Sequence, residues 1–119
     1  MKTKEIADKL VAYCRKGDFE AAQKELFADD AVSVEPKDNP MFPRETKGLP
    51  AIIEKGKKFT SMVEKVHAIT VSEPICTERI FACTMTMDVT MKGQGRMPMA
   101  ELCVYEVKDG KIISEHFHA

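Results

Sequence analysis

Ile6, Leu10, Tyr13 and Cys14, joined by Ala7 and Val11, recur at three- and four-residue intervals and lay one apolar stripe along a helix. The spacing predicts that helix over residues 4–16, with Thr3 as its cap and Gly17 as the left-handed residue that stops it. Asp18 then caps a second, short helix whose buried side is Phe19, Ala22 and Leu26, and Asp29-Asp30 marks its exit. Residues 31–35, Ala-Val-Ser-Val-Glu, alternate and are β-branched, which predicts one short strand. Four of the six prolines fall in residues 36–50 with Asn39-Pro40 and Gly48, so that stretch reads as a loop. A third helix starts at Pro50 and turns Ile52, Ile53, Gly56, Phe59 and Val63 to the core. Its other side carries Glu54, Lys55, Lys57 and Lys58 and reads as a solvated face.

From residue 66 the period changes to two. Four strands are predicted, over residues 66–72, 80–91, 96–107 and 111–118, the last three joined as antiparallel hairpins by Gly93-Gln94-Gly95 and Lys108-Asp109-Gly110. Strands of ten or more residues twist and curl. Two helices, a strand, a helix and a curled four-strand meander define an α+β domain.

Chain length adds one constraint: 119 residues suffice for a single domain with its own core, residues 1–119, without metal or disulfide support. Eighteen basic side chains against nineteen acidic leave a net charge of −1, which excludes the basic face that a nucleic-acid partner needs. No apolar run is long enough to cross a membrane, and the N-terminal residues lack the continuous apolar segment of a signal peptide. Cys14, Cys76, Cys83 and Cys103 show no Cys-x-x-Cys pair and no histidine at ligand spacing, so they read as buried thiols of a reducing compartment. A cytoplasmic protein is expected. Phosphate loops, Gly-x-Ser-x-Gly elbows, His-Glu-x-x-His and EF-hand loops are absent, leaving cofactor-independent chemistry or simple binding.

Gly17-Asp18-Phe19, Leu26-Phe27-Ala28-Asp29-Asp30-Ala31-Val32, Gly48-Leu49-Pro50-Ala51-Ile52 and Asp109-Gly110-Lys111-Ile112 occur in the order and at the spacing found in the nuclear transport factor 2-like superfamily. The chain resembles, more closely, the small bacterial SnoaL-like proteins, which are related to ketosteroid isomerases. The resemblance implies a cone in which a bent antiparallel sheet wraps a long helix and leaves a pocket at its open end, and it implies homodimers that pack through the outer sheet face. Activities in this superfamily vary too widely for fold to select one.

In ketosteroid isomerase a carboxylate base moves a proton beside a carbonyl while a tyrosine and a neutral acid hold the enolate oxygen. By resemblance the base falls on Glu35, in Val34-Glu35-Pro36, whereas Asp38 reads as a turn former. Tyr13 stands two positions away from the isomerase tyrosine, and Cys103 falls near the place of its second acid, so the oxyanion pair is not preserved. Alternation puts Met99, Glu101, Cys103 and Tyr105 on one face and Ile113, Glu115 and Phe117 on the matching face of the last strand. A register slip of one residue would instead turn Leu102 and Val104 inward. If Glu35, Glu101 and Glu115 converge, one must be protonated or paired, with Arg79, Arg96 or His67 as partner. His67 is the second acid/base candidate. His116 and His118 share the outer face, where a dimer interface is the favoured reading. Met85, Met87 and Met91, with Met97 and Met99 across the hairpin, supply an adaptable apolar wall.

The expected site therefore has Glu35, His67, Glu101 and Glu115 as acid/base groups and Tyr13, Phe59, Met85, Met87, Met99, Cys103 and Phe117 as ligand contacts, with no metal and no cofactor. Its expected occupant is a small apolar molecule. With only eight aromatic side chains and no tryptophan, recognition by stacking is not expected. The functional alternatives are an acid/base isomerase, cyclase or dehydratase acting on an apolar carbonyl compound, a binding module for a hydrophobic ligand, and a dimeric interaction partner.

Overall fold

The computed structural model describes residues 1–119. Helices α1 (Thr3–Arg15) and α2 (Phe19–Leu26) form a hairpin that runs directly into β1 (Phe27–Val34). A short β2 (Glu45–Lys47) precedes α3 (Leu49–Met62), after which β3 (Val63–Val71), β4 (Ile75–Cys76), β5 (Ile80–Met91), β6 (Gly95–Lys108) and β7 (Lys111–His118) follow. The sheet order is β2-β1-β7-β6-β5-β3, with β4 paired to β5. The three helices lie against one side of this curved, unclosed sheet.

The apolar stripe of α1 is buried as its period requires: Ile6, Ala7, Leu10, Val11 and Cys14 join Ala22 and Leu26 of α2. They pack on Phe81, Tyr105, Val107 and Ile112 of the sheet to form the main core. A side chain such as Leu10 or Ile112, removed completely from water, contributes about 2 kcal/mol. Gly17 takes φ 76°, the left-handed value that lets α1 stop and α2 begin at once.

Several local expectations change. Thr3 does not cap α1; its hydroxyl donates to the Glu78 carbonyl at 2.6 Å, while the Glu5 carboxylate accepts from the Lys2 N–H. Asp29-Asp30 does not end α2 but lies inside β1, which starts four residues earlier than its alternation suggested. Both aspartates sit where the pairing of β1 with β7 shifts register, and there they reach solvent. The proline-rich stretch also contains β2, which pairs with the second half of β1. β1 runs parallel to β7, so the sheet is mixed. Two bulges matter for the site: the pairing of β3 with β5 shifts around His67, and that of β6 with β7 shifts around Ile113.

Candidate functional site

The inner sheet face, α2, α3 and the loop after β1 enclose a cavity of about 1010 Å³. The β5–β6 register pairs Met85 with Glu101, Met87 with Met99 and Phe81 with Tyr105, which commits those side chains to the concave side. Across β6 and β7, Tyr105 stands opposite Glu115 and Cys103 opposite Phe117. The bulge leaves Ile113 unpaired, so Ile112 occupies the core and Glu115 and Phe117 point inward beyond it. Leu102, 43% exposed, faces out, so the alternative register is not the one adopted.

Glu35, Glu101 and Glu115 all line the cavity, as do Phe59, Met85, Met87, Met99 and Phe117. Three expected members are elsewhere. His67 belongs to the bulge in β3, and its Nε2 lies 2.7 Å from Thr90 Oγ1 on the convex face, because the extra residue turns its ring away from the cavity. Tyr13 points along the outside of the helical hairpin, where its hydroxyl donates to Glu25. Cys103 is sealed in the main core beneath the cavity floor; hydrogen bonding with Cys83 and burial push its thiol far up, so it stays protonated.

The partner of the glutamates is none of Arg79, Arg96 or His67 but Lys55. Arg96 is engaged on the convex face by Asp88, at 3.0 and 2.7 Å. Lys55 was expected in solvent, yet its side chain is only 15% exposed. Its ammonium donates to Glu35 Oε2 at 2.8 Å and to Ser33 Oγ at 2.6 Å. Ser33, wholly buried, donates in turn to Glu115 Oε1 at 2.8 Å. The result is a continuous chain, Glu35–Lys55–Ser33–Glu115, drawn from β1 and the residue that follows it, α3 and β7. One signal for Lys55 was present: it lies three residues after Ile52 and four before Phe59, on the apolar stripe rather than opposite it. Ser33 had a signal too, since it alternates with Ala31 and Glu35.

Electrostatics separate the carboxylates. Burial pushes Glu115 up to about 7 despite the Ser33 hydroxyl and Lys55, which favour its ionised form, and the charges of Glu35 and Glu101 add to the rise. Glu101 makes no ion pair; burial raises its pKa, Glu35 adds to the rise and Lys55 opposes it. Tyr105, 3% exposed and stacked on Phe81 with ring centroids 4.8 Å apart, is raised mainly by burial and keeps its phenol proton. The cavity thus holds two carboxyl groups raised by burial, of which Glu115, at about 7, can give and take a proton near neutral pH, set in a mostly apolar wall.

That wall is more aromatic than composition suggested. Phe19, Phe27, Phe42, Phe59, Tyr105 and Phe117, six of the eight aromatic side chains, line it. Phe42 is brought there by the loop after β1, which Asp38 and Asn39 close by accepting the N–H groups of Arg44, Met41 and Phe42. Of these, Phe27 and Tyr105 are 3% exposed and Tyr105 is already stacked on Phe81, so Phe19, Phe42, Phe59 and Phe117 are the less buried aromatic rings of the wall.

A curved, unclosed mixed sheet backed by three helices, with Glu35, Lys55, Glu101 and Glu115 among the residues that line its cavity, defines an α+β fold of the cone type. The SnoaL-like domain family model matches residues 1–119, and the chain belongs to that family. A Mesorhizobium loti protein described as a SnoaL-like polyketide cyclase is 32% identical, with TM-score 0.91 and complete coverage of both chains. A Xanthomonas campestris protein of cystatin-like fold shares 19% identity and TM-score 0.82 over 98% of this chain and 89% of its own. A Catenulispora acidiphila protein of ketosteroid isomerase-like fold, solved with trimethylamine, shares 16% identity and TM-score 0.74 over 97% and 85%. The last two show the fold alone. No curated protein matches the chain in sequence.

Proposed function

We propose that the protein is a cofactor-independent acid/base enzyme that moves a proton beside the carbonyl of a small, largely apolar compound, as an isomerase, cyclase or dehydratase does. The observation that carries this reading is a pair of cavity carboxyls, Glu101 and Glu115, both raised by burial and neither ion-paired. Glu101 serves as the base. Glu115, half protonated near pH 7, returns a proton, and Glu35 holds Lys55 in place. The Mesorhizobium loti neighbour's name joins the words SnoaL-like polyketide cyclase and carbohydrate phosphatase, and the first of these supports a carbonyl-bearing substrate. Four unpaired cysteines suit a reducing, cytoplasmic setting.

The test is exchange of α-hydrogens for deuterium in a panel of cyclic ketones and enones, followed by NMR. Wild-type protein is expected to catalyse exchange, and Glu101→Gln and Glu115→Gln to slow it about 100-fold or more. Unchanged rates in both variants would sink the acid/base reading. Saturable binding of panel members without exchange would support the alternative, a binding module for a hydrophobic ligand.

We further propose that two copies pair through the convex sheet face, where Leu102, Thr84, Thr86, Thr70, His116 and His118 stand together on adjoining strands.

A further inference from the structure

Removing a proton beside a carbonyl leaves a full negative charge on oxygen, and the site needs a donor aimed at that charge. By the resemblance, the tyrosine and acid that do this in ketosteroid isomerase fall on Val11 and near Cys103, neither of which is a tyrosine or an acid. We propose that Lys55 is the group that stabilises the enolate oxygen. The inference rests on the acid/base reading of the same cavity.

Four features point to Lys55. It lines the cavity with its side chain 15% exposed, whereas Lys57, the other lysine at the wall, is 58% exposed and pairs outward with Glu54. Its position is fixed before any substrate arrives, because Glu35 and Ser33 hold two of its three N–H groups. The third has no acceptor in the protein. Finally, the ammonium stands over the Phe117 ring, 5.8 Å from its centroid, and Phe117 is itself a cavity wall, so a substrate bound against the edge of that ring lies within reach of the lysine.

Charge is conserved through the step. Glu101 takes the proton, the C–H bond breaks and a carboxyl O–H forms. The released electron pair becomes the C=C bond of the enolate as the carbonyl π pair moves onto oxygen. The negative charge passes from Glu101 to an oxygen beside Lys55, so the cavity's net charge does not change and no counter-ion must enter. Reprotonation at carbon reverses the flow. A preorganised ammonium whose side chain is only 15% exposed is worth more here than in bulk solvent.

p-Nitrophenol tests this without any carbon chemistry, since its ionised oxygen carries the same charge as an enolate and its visible absorbance reports ionisation. Bound to the wild-type protein it is expected to ionise at least tenfold more readily than in water. Lys55→Met, checked for folding by circular dichroism, is expected to lose that shift, and Lys55→Arg, which keeps the charge, to retain part of it. The proposal is overturned if folded Lys55→Met ionises the bound phenol as the wild type does, or if the wild type binds it only as the neutral form or not at all. Because nothing in this assay requires deprotonation of carbon, Lys55 can fail it while the glutamine variants still abolish exchange, and the reverse.

Discussion

Glu115 is the residue whose charge the fold controls most directly. Its carboxyl is pushed from the ordinary 4.5 to about 7, chiefly by burial. Between those values the folded protein carries a proton that the unfolded chain has lost, so stability is highest below about pH 4.5 as far as this group is concerned. It falls as pH rises through 7 and levels off above. The full loss is about 3 kcal/mol at 1.36 kcal/mol per pH unit. Glu115→Gln keeps the side chain neutral at every pH and removes this dependence. Urea unfolding at pH 5 and pH 8 is expected to show the wild type losing about 2–3 kcal/mol more than the variant across that interval, and parallel losses would refute the assignment. Lys55 makes a complementary point about reading residues. A lysine is normally solvated, and assigning it outward from its type overrode its position on the stripe between Ile52 and Phe59, where Glu35 and Ser33 supply the partners that make burial tolerable.

At the scale of elements, the β6–β7 hairpin sets the site. Asp109 and Gly110 take φ 52° and 77°, the two left-handed values of a tight two-residue turn whose twist matches the strands. That turn fixes Lys108 opposite Lys111, and the register leads through the Ile113 bulge to Tyr105 opposite Glu115. Gly110→Ala would impose a Cβ on a left-handed residue, 3.2 Å from the Met1 nitrogen. A loss of about 1 kcal/mol or more in denaturant unfolding is expected, and an unchanged midpoint would show that the turn does not hold the register. The hairpin also shows where sequence reading succeeds. Asp-Gly between alternating runs is a local signal, and β5 and β7 were legible to their ends. Bulges are not local signals: the added residue at Ile113 reverses the facing between the two parts of β7, which is why Ile113 was expected inside in place of Ile112 while Glu115 and Phe117 were placed correctly, and the bulge at His67 turns aside a residue chosen for its imidazole rather than for its facing. Nor was the parallel contact of β1 with β7 legible, because it depends on elements about eighty residues apart in the chain.

At the scale of the whole molecule, the two sides of the sheet differ in what satisfies them. The concave side is filled by three helices and the cavity. The convex side has no covering element, yet it presents Leu102, 43% exposed, beside threonines on β3 and β5 and the two histidines of β7. Arg96 and Asp88 pair with each other at its margin, leaving the centre uncharged. An uncharged centre with a polar rim is the composition of a protein interface, and a face of parallel threonine rows can meet its own copy across a two-fold axis without a second kind of partner. The wild type is therefore expected to sediment as a dimer at micromolar concentration. Leu102→Glu puts a charge at the centre on both copies, where the two-fold axis sets them near each other, and is expected to weaken dimerisation about 100-fold or more while leaving the far side of the sheet, and p-nitrophenol binding in the cavity, unchanged. A wild type that sediments as a monomer at every concentration, or a Leu102→Glu variant that remains as dimeric as the wild type, would rule out pairing through this face.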